Sequence, residues 1–272
     1  MTRPITKDTT LCMSLAARPG NFGTRFHNYL YDALGLDYLY KAFTTRDLAA
    51  AIGGVRALGI RGCAVSMPFK EACIPMVDEL DPSAQAIDSV NTIVNTDGYL
   101  KAYNTDYMAI AGLLAQYRVP SDTVFALRGS GGMAKAVACA LRDAGFGRGY
   151  IIARNEEKGK RLAGLCGVEW RPDMDGVAAR MLINATPLGM AGGAEAERLA
   201  FGAEEIARAG IVFDVVALPV ETPLIRAARA RQKTVITGAE VFAIQAVEQF
   251  VLYTGIRPDE ALFRQAAAHA RG

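Results

Sequence analysis

Histidine is nearly missing from this chain: only His27 and His269 occur in 272 residues. A His-centred metal site is thereby close to excluded, and proton transfer must fall to another residue type. Cysteine is present without a pairing pattern. Cys12, Cys63, Cys73, Cys139 and Cys166 are scattered and odd in number, with no C-x-x-C spacing. That argues against a disulfide framework or a zinc site and for reduced thiols in a cytoplasmic protein. No apolar run is long enough to cross a bilayer, and Met1–Thr10 is polar without an apolar h-region, so neither a membrane span nor a secretory signal is expected. An excess of one charge sign is also lacking. The formal net charge is +2, and no basic stripe or aromatic–basic interleaving appears, which leaves no argument for nucleic acid.

What is present is material for two compact domains, since 272 residues with 51% hydrophobic and 21% charged composition can bury sizeable cores. Short apolar runs alternate with helix-like segments, which predicts an α/β fold with mainly parallel sheets. Strands are predicted at Cys63–Ser66, Val124–Leu127, Tyr150–Ala153, Met181–Asn184, Ile211–Val215 and Thr234–Thr237. Helices are predicted at about Thr24–Leu34, Thr45–Leu58, Pro68–Val77, Thr105–Tyr117, Met133–Ala144 and Leu224–Arg231, with two more after Val241. The turn cluster Tyr117–Thr123 sits just before a glycine-rich unit and marks the natural boundary region.

That glycine-rich unit carries the strongest local signal. A buried strand leads into Gly129-Ser130-Gly131-Gly132, and a small-residue helix opens at Met133-Ala134. Gly129 permits a tight turn, Gly131 lets backbone approach a pyrophosphate, and Ala134 takes the close-packing position of the dinucleotide fingerprint. The free N–H groups at the helix start favour phosphate charge. A plain strand–turn–helix would look similar, but here both flanking elements are present. The next strand ends at Arg154, with Lys158 one turn later, where an NAD site would carry Asp or Glu. Two cations suit a 2′-phosphate, so NADP is the expected cofactor; a solvated basic helix start beside Glu156 and Glu157 is the other reading.

Two stretches before this unit carry chemistry. In Gly62–Ala72 a strand ends at Ser66, and Pro68 opens a helix with Lys70 in its first turn. The dipole disfavours a cation there, so Lys70 reads either as a proton donor or acceptor, or as a solvated lysine paired with Glu71 or Glu79. Further on, Asn91-Thr92 and Asn104-Thr105-Asp106 flank a hairpin predicted around Asp97-Gly98. Asn, Thr and Asp are also ordinary helix caps, so capping alone accounts for that group equally well.

Taken together, "VSMPFK", "SVNTI", "NTDYMAI", "GSGGMAKAV", "INATPLGM", "FDVVALPVETPL" and "TGAEVFAIQAVEQF" occur in an order that resembles the shikimate dehydrogenase family along nearly the whole chain. The resemblance implies a two-domain α/β fold: a parallel-sheet substrate domain over 1–105, completed by C-terminal helices 239–272, a Rossmann-type NADP domain over 106–238, and a cleft between them. It implies reversible reduction of 3-dehydroshikimate to shikimate, with a small cyclic hydroxy acid as partner, no membrane or nucleic acid, and a monomer or homodimer in the cytoplasm. Lys70 and Asp106 would be the catalytic pair. Asn21, Ser66, Asn91 and Gln245 would hold substrate. Asn184, Thr186, Met190, Val215 and Gly238 would join the glycine turn, Arg154 and Lys158 around the cofactor.

The chain also departs from the pattern. Counting back from His27, the two hydroxyl-bearing positions of the family's Ser-x-Ser hold Asn21 and Gly23. Ala217 replaces a tyrosine after "FDVV", Glu240 stands where glycine is expected, and Val241 replaces a methionine. Each lost donor costs about 1–3 kcal/mol when its partner is left unsatisfied. Low efficiency on shikimate is therefore expected, with a quinate, aminoshikimate or related dehydrogenase and a non-catalytic ligand sensor as alternatives.

Overall fold

The computed structural model describes residues 4–271. By contacts the chain divides into two compact units, one running to Thr105 and resuming at Gln245, the other spanning Asp106–Ile244.

The first unit opens with β1 (Thr10–Leu15), α1 (Phe22–Ala33), β2 (Tyr38–Phe43), α2 (Leu48–Ala57), β3 (Gly62–Val65) and α3 (Phe69–Ala72). A 3-10 turn (Ile74–Met76), β4 (Glu79–Leu80), α4 (Pro82–Gln85), β5 (Thr92–Thr96) and β6 (Tyr99–Tyr103) follow. The strand order is β2-β1-β3-β5-β6-β4. β1 pairs parallel with β2 and β3, but β5 runs antiparallel to both β3 and β6. The sheet is therefore mixed rather than purely parallel, and the cause is the predicted hairpin. Thr96 pairs with Tyr99 across a two-residue loop, and Asp97 and Gly98 both have positive φ (52° and 87°), the geometry a tight hairpin needs. The helix predicted over Pro68–Val77 breaks into α3 and the 3-10 turn because Pro75 supplies no N–H to continue it.

Successive residues of β1 feed opposite faces, as strand alternation requires. Cys12 joins a core with Phe26, Leu30, Tyr31 and Tyr40, closed by Phe250, Tyr253 and Ala266 from the C-terminal helices. Met13 joins the other core with Ile52, Val55, Cys63 and Ile93. Gly62 admits the Tyr253 ring directly against its backbone, since any Cβ there would overlap the ring.

The second unit begins within α5 (Thr105–Gln116). It continues through β7 (Phe125–Arg128), α6 (Gly132–Asp143), β8 (Gly149–Ile152), α7 (Glu156–Cys166), β9 (Glu169–Arg171) and β10 (Met181–Asn184). Then come α8 (Ala203–Arg208), β11 (Ile211–Asp214), α9 (Pro223–Arg229), β12 (Thr234–Thr237) and α10 (Gly238–Thr254); α11 (Glu260–Arg271) ends the chain. All pairs in this sheet are parallel, in the order β12-β11-β10-β7-β8-β9. The chain winds outward from β7 to β9, then returns beside β7 and winds the other way. That reversal between β7 and β10 is the switch point at which such sheets bind ligands beyond their strand C-termini.

The first turns of α10 belong with the second unit, so the division falls at Gln245 rather than at 239. Gly238 lies hard against the Val215 carbonyl, and Glu240 accepts a hydrogen bond from the Tyr117 hydroxyl at 2.7 Å. Among the described residues no helix is long and apolar enough to cross a membrane, and no group of three His, Cys, Asp or Glu side chains is placed to hold a metal ion.

Candidate functional site

In the second unit β7 ends at the switch point, and the glycine turn follows at once. Gly129 has φ +127°, and a Cβ on it would stand 2.9 Å from the Ala185 carbonyl oxygen, so no other residue fits without displacing the β10 turn. Gly131 and Gly132 face open space instead. Gly131 is the N-cap of α6 and brings no side chain to its first N–H groups, which leaves them for an anion. Ala134 is fully buried, as close helix–strand packing demands, while Ser130 and Met133 are half-buried.

A cavity of about 360 Å³ lies against this turn. Gly129, Ser130, Gly131, Arg154, Asn155 and Thr186 are among its lining residues, and so are Arg128 and Arg198, which the sequence reading missed. Lys158 is not among them; it is exposed, and its backbone N–H is held at 2.8 Å by Asn155, the N-cap of α7. The strand predicted from sequence ends at Leu127, which leaves Arg128 outside it. One more residue of strand brings it to the rim of the turn.

Asn184 closes the neighbouring turn. Its Oδ1 accepts from Thr186 N (3.1 Å) and Oγ1 (2.6 Å), and its Nδ2 donates to Leu188 O (3.1 Å) and Asp214 Oδ1 (3.0 Å). With no exposure and its amide engaged on both sides, this side chain shapes the turn rather than meeting a ligand. Asp214, also fully buried, accepts from Thr222 Oγ1 at 2.6 Å and Val216 N at 3.1 Å. Burial pushes its carboxyl up to about 6, opposed by the bonds from Thr222, Val216 and Asn184. Val215 is tied by its N–H to Asn184 O at 3.0 Å, Gly238 backs onto it, and Met190 is exposed.

Glu240, the apparent intruder in the first turn of α10, has a local job. Its carboxylate accepts from Thr237 N (2.8 Å) and Oγ1 (2.7 Å), while its own N–H donates to Thr237 Oγ1 at 3.3 Å. This is a reciprocal capping box at the start of α10.

In the first unit the candidate substrate residues gather around Asn91. Its Oδ1, 3% exposed as a residue, accepts from Thr105 N (2.8 Å), Thr105 Oγ1 (3.2 Å) and Thr92 Oγ1 (2.9 Å). Asn91 thereby anchors the start of α5, and its Nδ2 donors have no partner among the described residues. Gln245 Oε1 lies 3.3 Å from Thr105 Oγ1, and Gln249, absent from the sequence reading, donates to Thr92 Oγ1 at 3.0 Å. Asn104 donates to Ser89 O at 2.9 Å. Asp106, 9% exposed, sits in the first turn of α5, where the dipole favours a carboxylate. Lys70 is half-buried on α3 and its carbonyl accepts from Val90 N at 2.9 Å. α3 is a single turn, so the dipole argument made for Lys70 loses its footing. Ser66 is exposed just beyond β3.

At one of the two missing hydroxyls the packing is tight. A Cβ at Gly23 would come within 3.3 Å of the Tyr40 ring, which stacks on His27 at 4.4 Å between centroids. Asn21 is the exposed N-cap of α1 and makes no capping bond with its side chain. Burial pushes His27 down to about 3, against a hydrogen bond that its ring donates to Gln249, so this histidine stays neutral and belongs to the core.

The glycine turn at the switch point of a doubly wound sheet defines the second unit as Rossmann-type. Residues 22–93 match the family described as the shikimate dehydrogenase substrate binding domain. The chain is 57% identical to a shikimate dehydrogenase-like protein of Haemophilus influenzae, over 98% of both chains. It superposes with a TM-score of 0.85 on the shikimate 5-dehydrogenase of Thermus thermophilus in complex with NADP(H) and shikimate, at 30% identity, covering 96% of this chain and 99% of that one. Quinate dehydrogenase from Corynebacterium glutamicum in complex with NAD gives 0.86 at 27% identity, over 95% and 98%. The chain belongs to the shikimate dehydrogenase family.

Proposed function

We propose that this protein is an NADP-dependent oxidoreductase of shikimate dehydrogenase type that interconverts shikimate and 3-dehydroshikimate with low efficiency. The observation that carries the reading is the glycine turn with its arginine-lined cavity: open space at Gly131 and Gly132, forced glycine at Gly129, and Arg154 with Asn155 beside them. These residues fit a dinucleotide carrying a 2′-phosphate. The chemistry such a cofactor supplies when bound is hydride transfer. The second unit is the cofactor-binding part and the first the substrate-binding part.

In this reading Lys70 delivers or takes the proton at the reacting oxygen, and Asp106 accepts a hydrogen bond from the adjacent hydroxyl and orients the substrate. The unpartnered Nδ2 of Asn91, the Ser66 hydroxyl, Asn21 and Gln245 contribute polar contacts. Asn91 has a second task, because the same side chain holds α5 and with it Asp106.

Steady-state rates with shikimate, quinate and related cyclic hydroxy acids, each with NADP⁺ and NAD⁺, test this. Turnover with NADP⁺ that disappears in Lys70→Ala while dinucleotide binding survives supports it. A kcat/KM on shikimate near about 10⁶ M⁻¹s⁻¹, well inside the normal enzyme range, overturns the low-efficiency clause. A second reading, oxidation of quinate or a relative, is favoured by Gly23, whose packing against Tyr40 removes a polar contact from the substrate end. It predicts a higher kcat/KM on that substrate than on shikimate. Turnover unchanged by Lys70→Ala would remove the assigned catalytic role, whereas dinucleotide binding without turnover on any of these acids would leave a ligand sensor.

A further inference from the structure

Three arginines line the cavity beside the glycine turn, and they are not equivalent. Arg154 is exposed at the end of β8. Arg198 is also exposed and already paired with Glu195 at 2.6 Å. Arg128 is the last residue of β7, with its Nε buried and without a hydrogen-bond partner among the described residues. Its guanidinium lies over the Phe201 ring at 5.1 Å from the centroid. Phe201 is itself 2% exposed, so the platform beneath the cation is part of the core. An aromatic face attracts a guanidinium and fixes its plane.

The position is as telling as the environment. Arg128 pairs in register with Ile152, two residues before Arg154, on adjacent parallel strands. Arg154 therefore stands at the strand end where a dinucleotide's adenosine ribose is read, and Arg128 at the end of the strand beside it. Burial works against the charge on Arg128, partly offset by Glu205 and Asp173 and worsened by Arg154 and Arg198. An anion entering the cavity relieves that repulsion. A phosphate monoester, with a charge of about −1.5 to −2, does so best.

We propose that Arg128 is a cofactor-specificity residue: placed over the Phe201 ring at the end of β7, it reads the 2′-phosphate together with Arg154. The inference rests on the NADP reading above. Because Arg128 is half-buried while Arg154 is exposed, it has less side-chain freedom to lose on binding and makes the larger contribution to discrimination between NADP⁺ and NAD⁺.

Binding titrations of the intact protein with NADP⁺, NAD⁺, 2′,5′-ADP and 5′-AMP provide the test, with Arg128→Met and Arg128→Lys compared with the unsubstituted chain. Losing a charge-assisted hydrogen bond should weaken NADP⁺ and 2′,5′-ADP about tenfold to a hundredfold in Arg128→Met. NAD⁺ and 5′-AMP should change less than about twofold, since they lack the phosphate that Arg128 reads. Arg128→Lys keeps charge without the planar fork and should fall between. If Arg128→Met does not fold, the lysine variant carries the test by its loss of NADP⁺ preference. Equal weakening of all four ligands, or a preference that survives both substitutions, overturns the role of Arg128 alone. An unsubstituted protein that binds 2′,5′-ADP no better than 5′-AMP overturns both this proposal and the NADP reading.

Discussion

Asp214 makes the second unit's stability depend on pH in an unusual direction. Its carboxyl is fully buried and is pushed by that burial from an ordinary 3.8 to about 6. Between those pH values the folded chain holds more protons than the unfolded chain, so stability falls as pH rises. The contribution is complete below 3.8 and is lost as pH passes through about 6. At about 1.4 kcal/mol per pH unit, the swing is about 3 kcal/mol. Asp214→Asn removes the ionisation while keeping an oxygen for Asn184 and Val216. Whatever constant offset the amide introduces at Thr222, the variant should gain about 2.5 kcal/mol relative to the unsubstituted protein between pH 4 and 7.5. Urea unfolding followed by Trp170 fluorescence reads this out. Trp170 is the only tryptophan, lies on β9 of the same unit, and donates to Ala153 O at 3.0 Å. A difference that stays constant within about 0.5 kcal/mol across that range refutes the reasoning. A difference that runs the other way means that the three hydrogen bonds outweigh burial and hold the carboxylate charged.

Three further outcomes follow from the same geometry. Gly129→Ala forces a side chain into a positive-φ position against the Ala185 carbonyl, so it should cost on the order of 1–3 kcal/mol and weaken NADP⁺ binding; an unaltered melting temperature and dinucleotide affinity would remove the packing argument. Glu240→Ala should cost about 1 kcal/mol by loss of the capping box. Tyr117, pushed up to about 12 by burial and by Glu240, should then ionise at lower pH in a spectrophotometric titration. Asn91→Ala leaves the buried Thr105 N–H and the Thr92 hydroxyl without their acceptor, a loss of about 1–3 kcal/mol for the unsatisfied group. Thermal melting checks that cost, and a fall in kcat beyond any change in KM would show that α5 no longer holds Asp106 in place.

Much of the architecture was legible because it is written in short spacings. Asp97-Gly98 announces a hairpin through two residues that tolerate positive φ, and the structure has one there. Gly129 to Ala134 announces a strand–turn–helix for the same local reason. The Thr237–Glu240 spacing was equally legible as a capping box, yet comparison with the family pattern made Glu240 look like a pocket defect. Pro75 was likewise present in the sequence, and it divides the helix predicted over Pro68–Val77. The mixed sheet of the first unit was harder to foresee. A hairpin fixes the direction of its own two strands and says nothing about which third strand receives them.

By itself the sequence determined the α/β class, the strand–turn–helix at Gly129–Ala134 and the family. Those depend on residues within a few positions of one another or on motifs in a fixed order. Tertiary structure alone decided which polar groups are spent inside the fold and which are left for a ligand. Asn184 is consumed by partners as distant in sequence as Asp214, whereas Asn91 keeps its amide donors. Lys158, attractive by spacing, is exposed and outside the cavity lining, while Arg128 is held at the cavity by Phe201 from far along the chain. The physical reason is the same in each case. Burial and hydrogen-bond satisfaction are set by neighbours in space, and a buried polar group costs too much to leave its partner to chance.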